Sequence, residues 1–175
     1  MPLDGVFGRD SGWKKLHLGV NAAGMIVAQV LTDSNVDDAK IGGELIGAVE
    51  GPIARVIGDA AYDTVSIYEA ATARGAAVVV PPARTAKVSK RGPRSAVRDR
   101  TISRAKEVGR RSWKSESGYH QQSRVENAMF RYKSIIGGRL RARGEGSQTV
   151  EAAVACNILN RMIELGGPAS YSIGA

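Results

Sequence analysis

Apolar and polar positions along the first third of the chain predict a β-hairpin. Residues 15–20 place an apolar side chain at every second position, which is the period of a strand with one buried face. A turn of small residues at 21–24 separates this segment from an apolar, β-branched run at 25–31. Two strands joined by so short a polar turn are typical of an antiparallel hairpin.

Beyond the hairpin, helical and extended patterns alternate. The predicted elements are a helix opened by Asp37 and Asp38, a strand at 54–58, a helix capped by Thr64, a strand at 76–80, a polar helix at 99–110, and apolar-faced helices at 121–136 and 149–165. Glycine and proline clusters separate most of them. This order predicts an α/β fold with a single mixed sheet flanked by helices.

Composition adds constraints on function. The 175 residues are 43% hydrophobic and 24% charged, which is typical of a globular chain. A single cysteine, Cys156, excludes an internal disulfide framework and a cysteine zinc cluster. The two histidines, His17 and His120, lack the neighbours that a metal or acid–base role requires, so we interpret them as structural. No apolar run approaches the roughly 20 residues of a membrane span.

The net charge of +8 is concentrated in the middle of the chain. Residues 1–80 hold six Lys and Arg against ten Asp and Glu, whereas residues 81–140 hold sixteen against four. Between positions 84 and 114, twelve basic residues face only Asp99 and Glu107. One interpretation is a solvated surface loop. The other is a stripe that contacts the phosphates of nucleic acid, which would give salt-dependent affinity.

Two acidic positions are candidates for metal chemistry. Asp59 follows a predicted buried strand, a place where functional carboxylates often stand in α/β sheets, although a turn-forming Asp there is also common. Tyr119, Gln122, Glu126 and Lys133 are spaced by three, four and seven residues, which on one helix aligns them in a stripe. Glu126 could hold a divalent cation while Lys133 meets a phosphate, or it could be an ordinary exposed glutamate.

Four segments together resemble the bacterial insertion-sequence DDE transposases. They are WKKLHL at 13–18, DAAYD at 59–63, YHQQSRVE at 119–126 and RYK at 131–133. The closest pattern is the branch marked Y-x-x-R-x-x-x-E-x-x-x-x-x-x-K. The basic turn at 137–143 and the helix at 152–161 are also similar to that branch, so the resemblance extends over most of the chain.

The resemblance implies a ribonuclease-H-like fold, DNA strand cleavage and transfer, and two Mg²⁺ (or Mn²⁺) ions. Asp59 matches the second catalytic acid and Glu126 the third, both as metal ligands. Tyr119 and Lys133 match residues that contact DNA near the cut. Further DNA contacts are expected from the remaining basic candidates, Arg91, Arg94, Arg98, Arg124 and Arg131. The implied partners are double-stranded DNA, as terminal inverted repeats and target, and further copies of the chain, in the cytoplasm and without a membrane.

Two departures from the pattern qualify this expectation. The signature arginine is replaced by Gln122, and no upstream acid lies on a strand where the first catalytic Asp belongs, since neither Asp4 nor Asp10 has apolar residues around it. We therefore predict a sheet that lacks its first strand. On this interpretation residues 1–167 form a partial catalytic domain, 84–114 its basic DNA-contacting segment and 168–175 a tail.

Three functions remain open at this point. The first is the C-terminal part of a transposase catalytic domain, not competent by itself and completed by an upstream reading frame. The second is a non-catalytic DNA-binding remnant that uses only the basic stripe. The third, another nuclease of the same fold, is disfavoured by the Tyr–Glu–Lys spacing.

Overall fold

The computed structural model of the chain describes residues 14–89 and 92–166. The candidate acids Asp4 and Asp10, the candidate DNA-binding residue Arg91 and the predicted tail at 168–175 lie outside these residues. The described strands are β1 (Lys14–Val20), β2 (Ile26–Asp33), β3 (Arg55–Ile57) and β4 (Ala77–Val79). The α-helices are α1 (Asp38–Ala48), α2 (Val65–Ala73), α3 (Ala96–Val108), α4 (Arg110–Glu116), α5 (Ser123–Arg131) and α6 (Glu145–Glu164).

The predicted hairpin is confirmed. β1 and β2 pair antiparallel, with Leu16 opposite Leu31 and Leu18 opposite Gln29. The side-chain oxygen of Asn21 accepts hydrogen bonds from two backbone N–H groups of the turn, which explains the sharp reversal there. The alternation of apolar residues therefore does place one face of the hairpin in the core.

Helices cover both faces of the hairpin. Leu16, Leu18 and Ile26 pack against α5 and α6, whereas Ala28 on the other face packs against Ile41 and Leu45 of α1. The Asn160 amide of α6 both accepts from the Ile26 N–H (2.7 Å) and donates to the Ile26 carbonyl (2.8 Å). This paired contact fixes the position of the long helix along β2.

The prediction of one mixed sheet is wrong for the described residues. They form two separate two-stranded sheets, the antiparallel β1–β2 pair and the parallel β3–β4 pair. The physical reason is that no strand in the described part of the chain lies between β1 and β3 to hydrogen-bond to both. The α/β character of the prediction is correct.

Helix boundaries differ from the sequence prediction in three places. The helix predicted at 121–136 consists of a 3₁₀ turn at Tyr119–Gln122, then α5, then a π-helical turn at Tyr132–Ile136. The last helix begins at Glu145, earlier than position 149, and α4 was not predicted. Thr64 stands at the N-cap of α2 as predicted, but its hydroxyl contacts Ser66 Oγ (3.0 Å) instead of capping the backbone.

A buried ion pair attaches the basic segment to the core. The Asp63 side chain is fully buried and accepts hydrogen bonds from Arg98 Nε (2.7 Å), from a second nitrogen of the same guanidinium (3.0 Å) and from the Ala83 N–H (2.8 Å). A two-point Arg–carboxylate contact fixes orientation as well as distance. Asp63 thereby holds both the chain that leaves β4 and helix α3.

Breaking this pair should destabilise the protein strongly. Asp63→Ala leaves the Arg98 guanidinium buried without its counter-charge, and we expect a loss of about 3–5 kcal/mol in the free energy of unfolding, measured in urea. Glu69→Ala is the matched control, since it removes the carboxylate bonded to the exposed Arg94 and should change stability little. Equal effects of the two variants would contradict a special role for Asp63.

Stability should also fall in mild acid because of His17. This side chain is fully buried, its Nε2 contacts Thr32 Oγ1 at 2.8 Å, and burial lowers its pKa below the ordinary 6.5. The unfolded chain therefore binds a proton that the folded chain resists, so this contribution to stability is complete above pH 6.5 and decreases as the pH falls below it. His17→Gln should flatten the pH dependence of unfolding between pH 7 and 5, whereas His120→Gln, at an exposed position, should leave it unchanged.

Candidate functional site

Asp59 occupies the turn immediately after β3. It is the N-cap of the 3₁₀ turn Ala60–Tyr62, and its Oδ1 accepts the Ala61 N–H at 2.8 Å. The turn-forming role that the sequence left open is thus real. It uses one carboxylate oxygen, and no described residue hydrogen-bonds to the other. Asp59 can therefore terminate the strand and still offer an oxygen to a ligand.

Glu126 lies in the first turn of α5, where its charge favours the positive end of the helix. It is exposed, and no side chain in the described part of the chain forms an ion pair with it. Its neighbours Val125 and Met129 are buried against the hairpin, so packing fixes the helix that carries the carboxylate.

Tyr119 brings the two carboxylates into one site. Partial burial raises the pKa of its hydroxyl above the ordinary 10.0, and the negative charges of Asp59 and Glu126 add to this rise, whereas Arg110 opposes it. The tyrosine thus senses two acids that stand far apart in sequence. The ammonium of Lys114 lies 4.6 Å from the centre of the Tyr119 ring, a cation–π contact that adds positive charge beside it.

The predicted single stripe of Tyr119, Gln122, Glu126 and Lys133 does not form. Its α-helical part begins only at Ser123, after a 3₁₀ turn, and a π-helical turn begins at Tyr132, so the residues do not share one helical period. Gln122 is 4% exposed, whereas Glu126 and Lys133 are exposed. Tyr119 and Glu126 still face one another electrostatically, through tertiary proximity and not through helical register.

Several predicted DNA contacts make intramolecular bonds. Arg98 belongs to the buried pair with Asp63, and Arg94 bonds to Glu69 while its side chain remains 72% exposed. Arg131 donates to the Gly24 carbonyl at 2.9 Å and so ties α5 to the hairpin turn. Arg124 is half-buried and borders the cleft between the hairpin and β3. Arg91 is outside the described residues.

The sequence did not single out three residues that shape the site. Asp63 anchors the basic segment, Arg110 acts on Tyr119 while donating to the Pro82 carbonyl, and Lys114 covers the tyrosine ring. No spacing rule reveals them, because their partners are distant in the chain. The nearest signal was the second Asp of DAAYD.

The carboxylates form a partial metal site. Among residues 14–89 and 92–166, no group of three or more His, Cys, Asp and Glu side chains is placed to hold a metal ion. Mg²⁺ is commonly bound by one or two carboxylates together with substrate phosphates and waters. Asp59 and Glu126 thus fit one such ion shared with a phosphate, but they do not supply the ligands for two ions. In addition, none of the described helices has the length and apolarity needed to cross a membrane.

Comparison with known proteins gives one match. A protein-family model described as "Transposase DDE domain" matches residues 7–162, a range that includes Asp59, Tyr119 and Glu126. No solved structure matches the chain.

Proposed function

The chain belongs to the DDE transposase domain family, whose function is DNA transposition, and we propose that Asp59 and Glu126 are its catalytic carboxylates. The observation that carries this proposal is that both charges act on Tyr119, although 59 and 126 lie on different elements. The chemistry of the family is phosphodiester cleavage and strand transfer. The order of hairpin, helix, strand, helix and strand supports a ribonuclease-H-like arrangement of the domain.

In this proposal the two carboxylates hold a divalent cation against a DNA phosphate. A bound Mg²⁺ would neutralise charge that develops on the phosphate oxygens. Asp59 would present its free oxygen from a position fixed by the Ala61 hydrogen bond, and Glu126 would approach from the rigid start of α5. Tyr119 and Lys133 would orient the strand beside them, with Lys114 supplying positive charge next to the phenol.

DNA contact by the basic segment is proposed for the residues that have no carboxylate partner in the described part of the chain. Arg98 is excluded from this surface because its guanidinium is buried against Asp63. On α3 and α4, exposed cations that carry no ion pair are Arg100, Lys106 and Arg111. Phosphate contacts from such side chains would position the DNA without reading its sequence.

The second candidate function is DNA binding without cleavage. The observation that favours it is the absence, among the described residues, of a third metal-binding side chain beside Asp59 and Glu126. Under this alternative the site would bind DNA and at most a weakly held ion. Homo-oligomerisation on the ends of the element, which the family resemblance implies, is compatible with both candidates.

Metal binding tests the carboxylate pair directly. With a short DNA duplex present, Mn²⁺ binding measured by water-proton relaxation should weaken by at least about 10-fold in Glu126→Gln, and similarly in Asp59→Asn, because each variant removes a charged ligand. Glu44→Gln is the control, an exposed glutamate on α1. If the Glu126 and Glu44 variants bind Mn²⁺ equally, Glu126 is not a ligand. A Mg²⁺-dependent nicking assay on the terminal repeats then separates the two candidate functions, since only the enzyme nicks.

Salt dependence tests the proposed DNA surface. Replacing Arg100, Lys106 and Arg111 together by Gln should weaken duplex binding and reduce the slope of log K against log salt by about 0.9 for each phosphate that the variant no longer neutralises. Arg161→Gln, an exposed arginine on α6, should leave the slope unchanged. An unaltered slope in the triple variant would show that these side chains are only a solvated surface.

A further inference from the structure

A cleft of about 630 Å³ separates the two sheets. The end of β1 and the hairpin turn border one side, and all of β3 borders the other. Since each described sheet contains two strands, both β1 and β3 have one edge without a strand partner in the described part of the chain. An unpaired edge presents N–H and C=O groups that readily accept another strand.

The walls of the cleft are mainly apolar. Helix α1 contributes Leu45 and Ile46 to one wall, and the start of α5 contributes Val125 to another. Along the β3 side, Ile53, Val56 and Ile57 are only half-buried. A concave apolar surface with helices on two sides has the shape of a gap within a sandwich of layers, and such a surface is a binding site by default.

Two polar groups at the cleft lack hydrogen-bond partners. Gln122 and Tyr62 both border the cleft, and each is 4% exposed. The Nε2 of Gln122 and the hydroxyl of Tyr62 are buried without a partner in the described part of the chain. Buried polar atoms are nearly always paired in native proteins, because leaving one unpaired costs about 1–3 kcal/mol. The hydrogen bonding of these walls is therefore incomplete without an occupant.

The charges around the cleft specify the occupant further. Arg55 and Arg124 are the charged residues that line it, and the lining contains no Asp or Glu. Neither arginine forms an ion pair with a described residue. An occupant that carries a carboxylate would complement this charge, whereas a basic occupant would be repelled.

We propose that this cleft binds an extended polypeptide segment from outside residues 14–166, rich in β-branched residues and carrying one acidic side chain. The segment would pair with the open edge of β3 and extend toward the end of β1, in the manner of β-strand addition. Its carbonyl groups would accept from Gln122 and Tyr62, and its carboxylate would lie near Arg55 and Arg124. This binding requires neither DNA nor metal, so it stands or falls separately from the proposed catalytic function.

Peptide binding to the full chain tests the proposal. The probe is a fluorescein-labelled nonapeptide, KVTVDVTVK, with an amidated C-terminus, measured by fluorescence anisotropy and compared with versions N-methylated at alternate residues. Because strand addition uses the backbone N–H groups, N-methylation on the side that faces β3 should weaken binding by about 10-fold or more. Replacing the central aspartate by asparagine should also weaken it.

Variants of the protein provide the matched comparison. Tyr62→Phe and Gln122→Leu should each weaken peptide binding by about threefold to tenfold, the value of one net hydrogen bond. Tyr68→Phe is the control, since it removes a hydroxyl from an equally buried tyrosine that does not line the cleft. Hydrogen exchange should show that the peptide protects backbone amides of residues 55–57.

Three outcomes would overturn the proposal. The first is no binding of the peptide at millimolar concentration, with no protection of residues 55–57. The second is equal binding of the N-methylated peptides, which would show that the cleft takes apolar ligands and not a strand. The third is an equal decrease of binding in Tyr68→Phe and Tyr62→Phe, which would trace the effect to folding.

Discussion

The arrangement of the site depends on the buried carboxylate of Asp63. Its contacts to Arg98 and to the Ala83 N–H attach the chain beyond β4, and helix α3, to the turn that carries Asp59. From there α3 and α4 lead back toward Tyr119. A buried charge without its partner is strongly unfavourable, so this pair has essentially one arrangement in the folded state. The position of the basic segment is thereby tied to the acidic end of β3.

This attachment divides the basic residues into two kinds. Some arginines neutralise carboxylates within the molecule, such as Arg98 with Asp63 and Arg104 with Glu107 and Glu116. Others remain exposed and without a carboxylate partner, and these are the ones able to meet phosphates. The excess charge of the segment is consequently a poor guide to individual DNA contacts, although it is a reasonable guide to the class of partner. Tyr119, with Lys114 over its ring, lies where the segment meets the two acids.

The site and the cleft adjoin one another. Asp59 directly follows Gly58, and Glu126 directly follows Val125; both of these preceding residues line the cleft between the sheets. Any segment bound there would approach the carboxylate pair, and its acidic side chain would add to the local negative charge. The close fit around Tyr62 is part of this region, because a Cβ at Gly42 would come within 2.7 Å of its ring. The two proposals thus concern neighbouring surfaces but use different atoms.

Local pattern determined much of this protein, and the tertiary structure decided the rest. The hairpin and α1 followed from the sequence, because strand alternation and the acidic cap at Asp37 act within a few residues. Asp59 and Glu126 were identifiable by motif, yet their convergence on Tyr119 is a long-range property. The division into two sheets, the three-part helix at 119–136 and the capture of Arg98 by Asp63 were not predictable. Each depends on partners distant in sequence, and whether an arginine meets a carboxylate or solvent is set by packing and not by its neighbours in the chain.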